Sequence, residues 1–170
     1  MKPIPIAILA LFLFGQPVYE SKSQNAGSYA ISAVPFTSVH VSDSFWAPKI
    51  RNNHDVTIPI AISKSRETGR IRNFMIAGKQ AEGSFCSLYP FDDSDVYKAL
   101  EGMAYSLQNN PDPVLEAKCD EWIAKFAAAQ EKDGYINTYY TLTGLDKRWT
   151  EMDKHEMYCA GHMIEAGVAY

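Results

Sequence analysis

From Ala47 to the C-terminus, apolar residues recur every three or four positions, whereas the stretch before it alternates or stays polar. The helical period predicts four helices. The first, over residues 47–65, is weak: Pro48 suits a helix start, but Pro59 threatens a kink. In the second, Val96, Leu100, Met103, Ala104 and Leu107 share one face, with Ser94 or Asp95 as the capping residue. "NNPDP" ends it, and Asp112 followed by Pro113 makes a cap and first turn for the third. That helix gathers Leu115, Cys119, Trp122, Ile123 and Phe126 on its buried stripe. It stops at "KDGY", where Gly134 can take a left-handed cap. The fourth is "KHEMYCAGHMIEAGVAY", residues 154–170.

Upstream, "FTSVHVSDSFW" alternates around Val39 and Val41 and predicts one short strand. A lone strand is not stable by itself, and no other part of this sequence reads as its partner. The expected fold class is therefore all-α with a short leading β-strand.

A short turn joins the second and third helices, while residues 67–94 and 131–154 form long loops. In an up-and-down array successive links alternate between ends. Both long loops then lie at one end, and the second and fourth helices begin there. Asp93, Asp95, His155 and Glu156 converge on that end. Loops on a rigid helical scaffold are where binding residues concentrate.

The fourth helix has two stripes. Met157, Gly161, Ile164 and Val168 make an apolar one, expected in the core. His155, Tyr158, Cys159 and His162 make the other. Imidazoles, a phenol and a thiol in place of lysines and glutamates predict an inner helix shielded on both sides. One reading is a packing layer with satisfied core histidines. Another is sugar binding, which needs paired donors and acceptors beside aromatic faces. A metal site on His155, Cys159 and His162 lacks a second cluster to complete its shell. A catalytic Cys159 lacks a base that the sequence specifies. Similarly, Asp92 and Asp93 exceed what a cap needs. Tyr135, Tyr139 and Tyr140 offer rings either for packing or for sugar faces.

Charge and composition narrow the classes. A net charge of -4 supplies no basic patch for nucleic acid. "MKPIPIAILALFLFGQP" reads as a secretory signal, with an apolar run from Ile4 to Phe14 that is short for a membrane span. Residues 1–24 are assigned to it, with cleavage between Gly15 and Ala30. Residues 25–46 are a linker with the short strand, and residues 47–170 are the helical domain. Cys86, Cys119 and Cys159 are odd in number and widely spaced, so buried thiols are expected rather than a disulfide framework.

Four motifs resemble those of glycoside hydrolase family 127, the β-L-arabinofuranosidases and their relatives. They are "VSDSFWAPKIRNN", "FDDSDVYKALEGMAYSL", "AAQEKDGYINTYY" and "HEMYCAGHMIEAGVAY", in the family's order and spacing across residues 36–170. The resemblance implies the N-terminal portion of an (α/α)6 toroid, with later β-sandwich domains that would pair the leading strand. It implies retaining hydrolysis of terminal β-L-arabinofuranosides of plant-type glycans. The nucleophile would be a cysteine thiolate on a zinc held by cysteines and a glutamate, with another glutamate as acid/base. All these positions fall beyond Tyr170. The chain is thus expected to be a truncated, inactive N-terminal part, with no catalytic residue and no metal ligand of its own. His155 matches a ligand-contacting histidine, and Glu156 falls in the same pocket wall. His162 and Asp95 match motif positions, giving four expected substrate-binding residues. Cys159 does not correspond to the nucleophile. The expected partner is a carbohydrate, without nucleic acid and without stable membrane association after signal cleavage. The expected location is secreted or periplasmic.

Two other readings remain open. Another α/α-toroid enzyme, an unsaturated uronyl hydrolase or a polysaccharide lyase, would need cations for a substrate carboxylate. Arg70 and Arg72 are the candidates in the first long loop. A secreted glycan-binding or helical interaction module is the non-enzymatic alternative.

Overall fold

The computed structural model of the protein describes residues 31–170; the expected signal segment and its cleavage region lie outside them. No strand forms among the described residues, which corrects the expectation around Val39 and Val41. Phe36–Ser38 is instead a 3-10 turn, closed by the Val39 N–H donating to Phe36 O at 3.0 Å, and both valines stay exposed. The alternating pattern finds no second ladder here, so a local turn satisfies the backbone.

Helix α1 (Trp46–Asn52) starts where Asp43 Oδ1 accepts the N–H groups of Trp46 (2.6 Å) and Phe45 (2.7 Å). These bonds, the one from Trp46 foremost, hold the Asp43 carboxyl below the usual range. A π turn, Asn53–Thr57, leads into α2 (Ile58–Glu67), whose second residue is Pro59. Proline has no N–H to return to the preceding turn. The widened turn absorbs that mismatch, so the expected kink takes the form of a local π bulge.

Gly69, at φ +80°, then turns the chain into α3 (Arg70–Ala77), a helix not predicted from the sequence. Its eight residues bury Ile71, Asn73, Phe74 and Ile76, a pattern too short to stand out from a loop. Packing on the third predicted helix, where Phe74 meets Phe126, sustains it. A Cβ on Gly78, at the end of α3, would lie 2.9 Å from Ala128 Cβ, so only glycine admits this approach.

The remaining helices are α4 (Asp93–Asn109), α5 (Pro113–Ala129), α6 (Thr138–Thr143) and α7 (Glu156–Ala169). Asp112 caps α5 as expected, accepting from Val114 N (2.8 Å) and Leu115 N (3.2 Å). The expected cap of α4 is corrected: Ser94 and Asp95 lie inside the helix and Asp92 occupies the cap position. Gly134, at φ +89°, serves the turn after α5 rather than its last residue, with Glu131 N–H donating to Tyr135 O at 2.8 Å.

Phe74, Tyr97 and Phe126 form an aromatic triangle, with centroids 4.6, 5.1 and 5.7 Å apart, at the centre of the core. Met103, Cys119 and Trp122 complete it. Each large apolar side chain buried there contributes about 1.5–3 kcal/mol.

Helices α4 and α7 pack side by side and run in the same direction. Phe91 meets His155 just before both begin, with ring centroids 4.9 Å apart. At the far ends Gln108 Nε2 donates to Ala169 O at 2.5 Å. The loops preceding both helices therefore meet at one end, as expected.

The two stripes of α7 are placed differently from the expectation. Cys159, Ala166 and Ala169 are buried, while Met157, Ile164 and Val168 are 73%, 62% and 81% exposed. Small residues let α7 approach α4 closely, and the larger apolar side chains face away from that contact. Among the described residues no helix is long and apolar enough to cross a membrane.

Candidate functional site

The loop end of the α4–α7 pair is built around three buried carboxylates. Asp92 Oδ2 accepts the N–H groups of Leu88 and Tyr89, both at 2.8 Å, while its Oδ1 pairs with Arg70 at 2.8 Å. Asp93 reaches across to the second loop, accepting from Thr138 N (2.7 Å) and Thr138 Oγ1 (2.6 Å) at the start of α6. Burial pushes the Asp93 carboxyl up to about 6, against the lowering effect of the Thr138 bonds and with the Asp92 charge adding to the rise. Glu156 accepts from Tyr135 OH (2.5 Å) and Trp149 N (2.7 Å), so both its oxygens are engaged inside the protein. These acids tie the two loops to the helix starts.

That anchoring fixes His155. Its backbone is left-handed, φ 60° and ψ 33°, between the 3-10 turn Met152–Lys154 and α7. Trp149, at φ 64°, is the other strained residue of this loop. His155 Nδ1 lies 2.6 Å from Asp153 O. A carbonyl only accepts, so Nδ1 holds a proton and Nε2 of the neutral ring is an acceptor. The side chain borders an open cavity of about 620 Å³ lined by Trp149, Glu151, Met152, Asp153, Glu156 and Tyr158, among others.

The four residues singled out by sequence fall into two groups. Asp95, His155 and His162 join one surface line through Lys98 and Tyr158. Lys98 Nζ lies 4.0 Å from Asp95 and donates to Tyr158 OH at 2.6 Å, with the ammonium over the Tyr158 ring. Tyr158 packs edge-on against both histidines, at 5.9 Å from His155 and 4.4 Å from His162. His162 Nδ1 is 2.9 Å from Glu165 Oε2 but out of line for a hydrogen bond, so it remains unsatisfied. Glu156 stands apart from this line, turned inward under the loop. Lys98 is an addition to the residues expected from the sequence; its place three residues after Asp95 on a helix puts both on one side.

Of the three tyrosines in the second loop, Tyr135 and Tyr140 are buried and pack, and only Tyr139 is partly open. Cys159 is a structural thiol. It donates to Phe91 O at 3.5 Å, and burial, with Asp93 adding, pushes it up to about 12. Arg70 is occupied by Asp92 and Asp95 (3.0 Å), and Arg72 donates to Glu82 O at 3.0 Å.

A thiolate zinc centre does not fit the described residues. Cys86 lies against Asn73, Cys159 against Phe91, and Cys119 is buried on α5. Among the described residues the single group of three His, Cys, Asp or Glu with ligand atoms within 4.8 Å is Glu101, His162 and Glu165, which contains no thiol.

Residues 38–170 match the family described as "Beta-L-arabinofuranosidase, GH127 catalytic domain". The non-reducing end beta-L-arabinofuranosidase of Bifidobacterium longum subsp. longum is 39% identical over 131 residues, or 68% of this chain and 19% of that protein. The crystal structure of a GH127 beta-L-arabinofuranosidase from Geobacillus stearothermophilus T6 superposes with a TM-score of 0.75 at 41% identity, covering 78% of this chain and 22% of that one. A second solved GH127 beta-arabinofuranosidase gives 0.73 at 43% identity, covering 80% and 23%. The chain thus spans between 19% and 23% of the length of these relatives.

Proposed function

The chain belongs to the GH127 β-L-arabinofuranosidase family, and from that membership we propose that it forms one wall of the sugar pocket of a secreted, retaining glycoside hydrolase. The substrate is a terminal, non-reducing-end β-L-arabinofuranoside of a plant-type glycan. His155 receives a sugar hydroxyl at Nε2, Asp95 and Lys98 offer an acceptor and a donor further along, and His162 lies deeper on the same line. Glu156 contributes by holding the loop that shapes this wall. The nucleophile, the acid/base and the zinc ligands belong to parts of the enzyme other than the described residues. This chain positions sugar and does not react with it. The apolar N-terminal run exports the protein to the periplasm or beyond.

The observation that supports this most is the anchoring of His155. A strained backbone and a bond from Nδ1 to Asp153 O hold the ring at the cavity edge with its second nitrogen free to accept. The uronic-acid reading has less support, since Arg70 and Arg72 are both engaged within the protein. Saturation-transfer NMR of the chain with methyl β-L-arabinofuranoside tests the proposal. Transfer to the ring protons is expected, together with turnover of an aryl β-L-arabinofuranoside no higher than a host-cell blank. Preference for a methyl uronide, or turnover above the blank, would overturn it.

A further inference from the structure

Beyond His155 the aromatic surface continues onto the first loop. Tyr89 and Phe91 stack with centroids 5.2 Å apart and planes only 5° from parallel, and Phe91 in turn meets the His155 ring at 4.9 Å. Two rings therefore step outward from the histidine. Tyr89 is the outermost and is 48% exposed, so one face rests on Phe91 and much of the ring remains open to solvent.

This ring is held still as well as exposed. Its own N–H and that of Leu88 both donate to Asp92 Oδ2, and Pro90 fixes the backbone between the two stacked rings. Arg70 locks Asp92 from behind and also grips Asp95, whose carboxylate is half exposed. A buried carboxylate and an arginine thus order a loop whose outermost ring has little packing of its own. Rigid aromatic faces flanked by polar groups suit ligands with one apolar face and a hydroxyl-bearing edge. A sugar ring has that character.

We infer that Tyr89 is a stacking platform for the sugar unit that follows the terminal arabinofuranoside, the part of the substrate that leaves. The inference rests on the pocket wall proposed above, because Tyr89 is placed two rings out from His155 along the same surface. Asp95 accepts a hydroxyl of that second unit. Tyr89 then sets preference for the leaving group without touching the bond that breaks.

The test compares methyl β-L-arabinofuranoside with a two-ring L-arabinofuranosyl disaccharide, titrated into the chain by saturation-transfer NMR. The disaccharide should show transfer to its second ring. Tyr89→Ala should weaken the disaccharide about tenfold, the size of one well-packed aromatic contact, and leave the methyl glycoside unchanged. Tyr89→Trp should keep disaccharide affinity, and His155→Ala should weaken both ligands. Matching amide spectra of Tyr89→Ala and the parent exclude a folding effect. An unchanged disaccharide affinity in Tyr89→Ala, or equal weakening of both ligands, overturns the platform while the pocket wall stands. Failure of the methyl glycoside to bind the parent chain overturns the wall and the platform together.

Discussion

The two ends of the α4–α7 pair solve the packing problem in opposite ways. At the far end Met103, Ala104, Ala166 and Ala169 close the contact with apolar atoms and small side chains. At the loop end the contact is closed by Asp92, Asp93, Asn137, Thr138 and Glu156, all buried. Burying a carboxylate is unfavourable unless its oxygens are hydrogen-bonded, and all three acids have both oxygens engaged. Apolar packing would stabilise the loop end at least as well. What the acids add is direction, because each bond specifies which loop atom sits where. The far end supplies stability, and the loop end supplies the shape of a surface.

Substitutions should separate these roles. The largest loss is expected at the far end, where Met103→Ala should cost about 2–5 kcal/mol in urea unfolding through the cavity it leaves, with the same loss at pH 5 and pH 7. Glu156→Ala should cost about 2–3 kcal/mol, since Tyr135 OH and Trp149 N–H both lose their acceptor. Unlike Met103→Ala, it should also weaken sugar binding in the folded fraction, with Glu156→Gln recovering part of both.

Asp93 gives the loop end a pH signature. Its folded carboxyl, pushed up to about 6 from an ordinary 3.8, keeps its proton where the unfolded chain has already released one. The folded state therefore binds more protons between those values, and this group's contribution makes stability rise as pH falls from 6 towards 4. The slope is at most about 1.4 kcal/mol per pH unit. Asp93→Asn should flatten it, which unfolding curves across that window would reveal. The smallest effect is expected on the outer face of α7: Ile164→Ala should stay within about 0.5 kcal/mol, because Ile164 is 62% exposed. A loss of core size would mean that this face is covered.

The same contrast explains what could be read from the sequence. The far end follows from apolar spacing: the stripes of α4 and α5 and the Asp112–Pro113 start are where periodicity and capping placed them. The loop end was legible only as a location. Nothing in "FDDSDVYK" distinguishes Asp92, bonded to its own loop, from Asp93, bonded to the other, or from Asp95, half exposed. Helix α3 is not legible in the sequence, because its short apolar period is sustained by contact with α5. On α7 the period offers two stripes, and side-chain size favours the larger one for the core, whereas the close approach to α4 selects the smaller residues. Tyr89 and the tyrosines of the second loop look alike in the sequence, because no local signal marks which ring remains in solvent.

His155 decides between a surface shaped for sugar and a polar packing layer. The decisive measurement is His155→Ala in this chain, followed for melting temperature and for methyl β-L-arabinofuranoside affinity in the same sample. The site reading predicts an affinity about tenfold weaker, as for a lost hydrogen-bond partner of the sugar, with the melting temperature nearly unchanged. A lower melting temperature with normal affinity in the folded fraction would make His155 a packing residue and contradict the account.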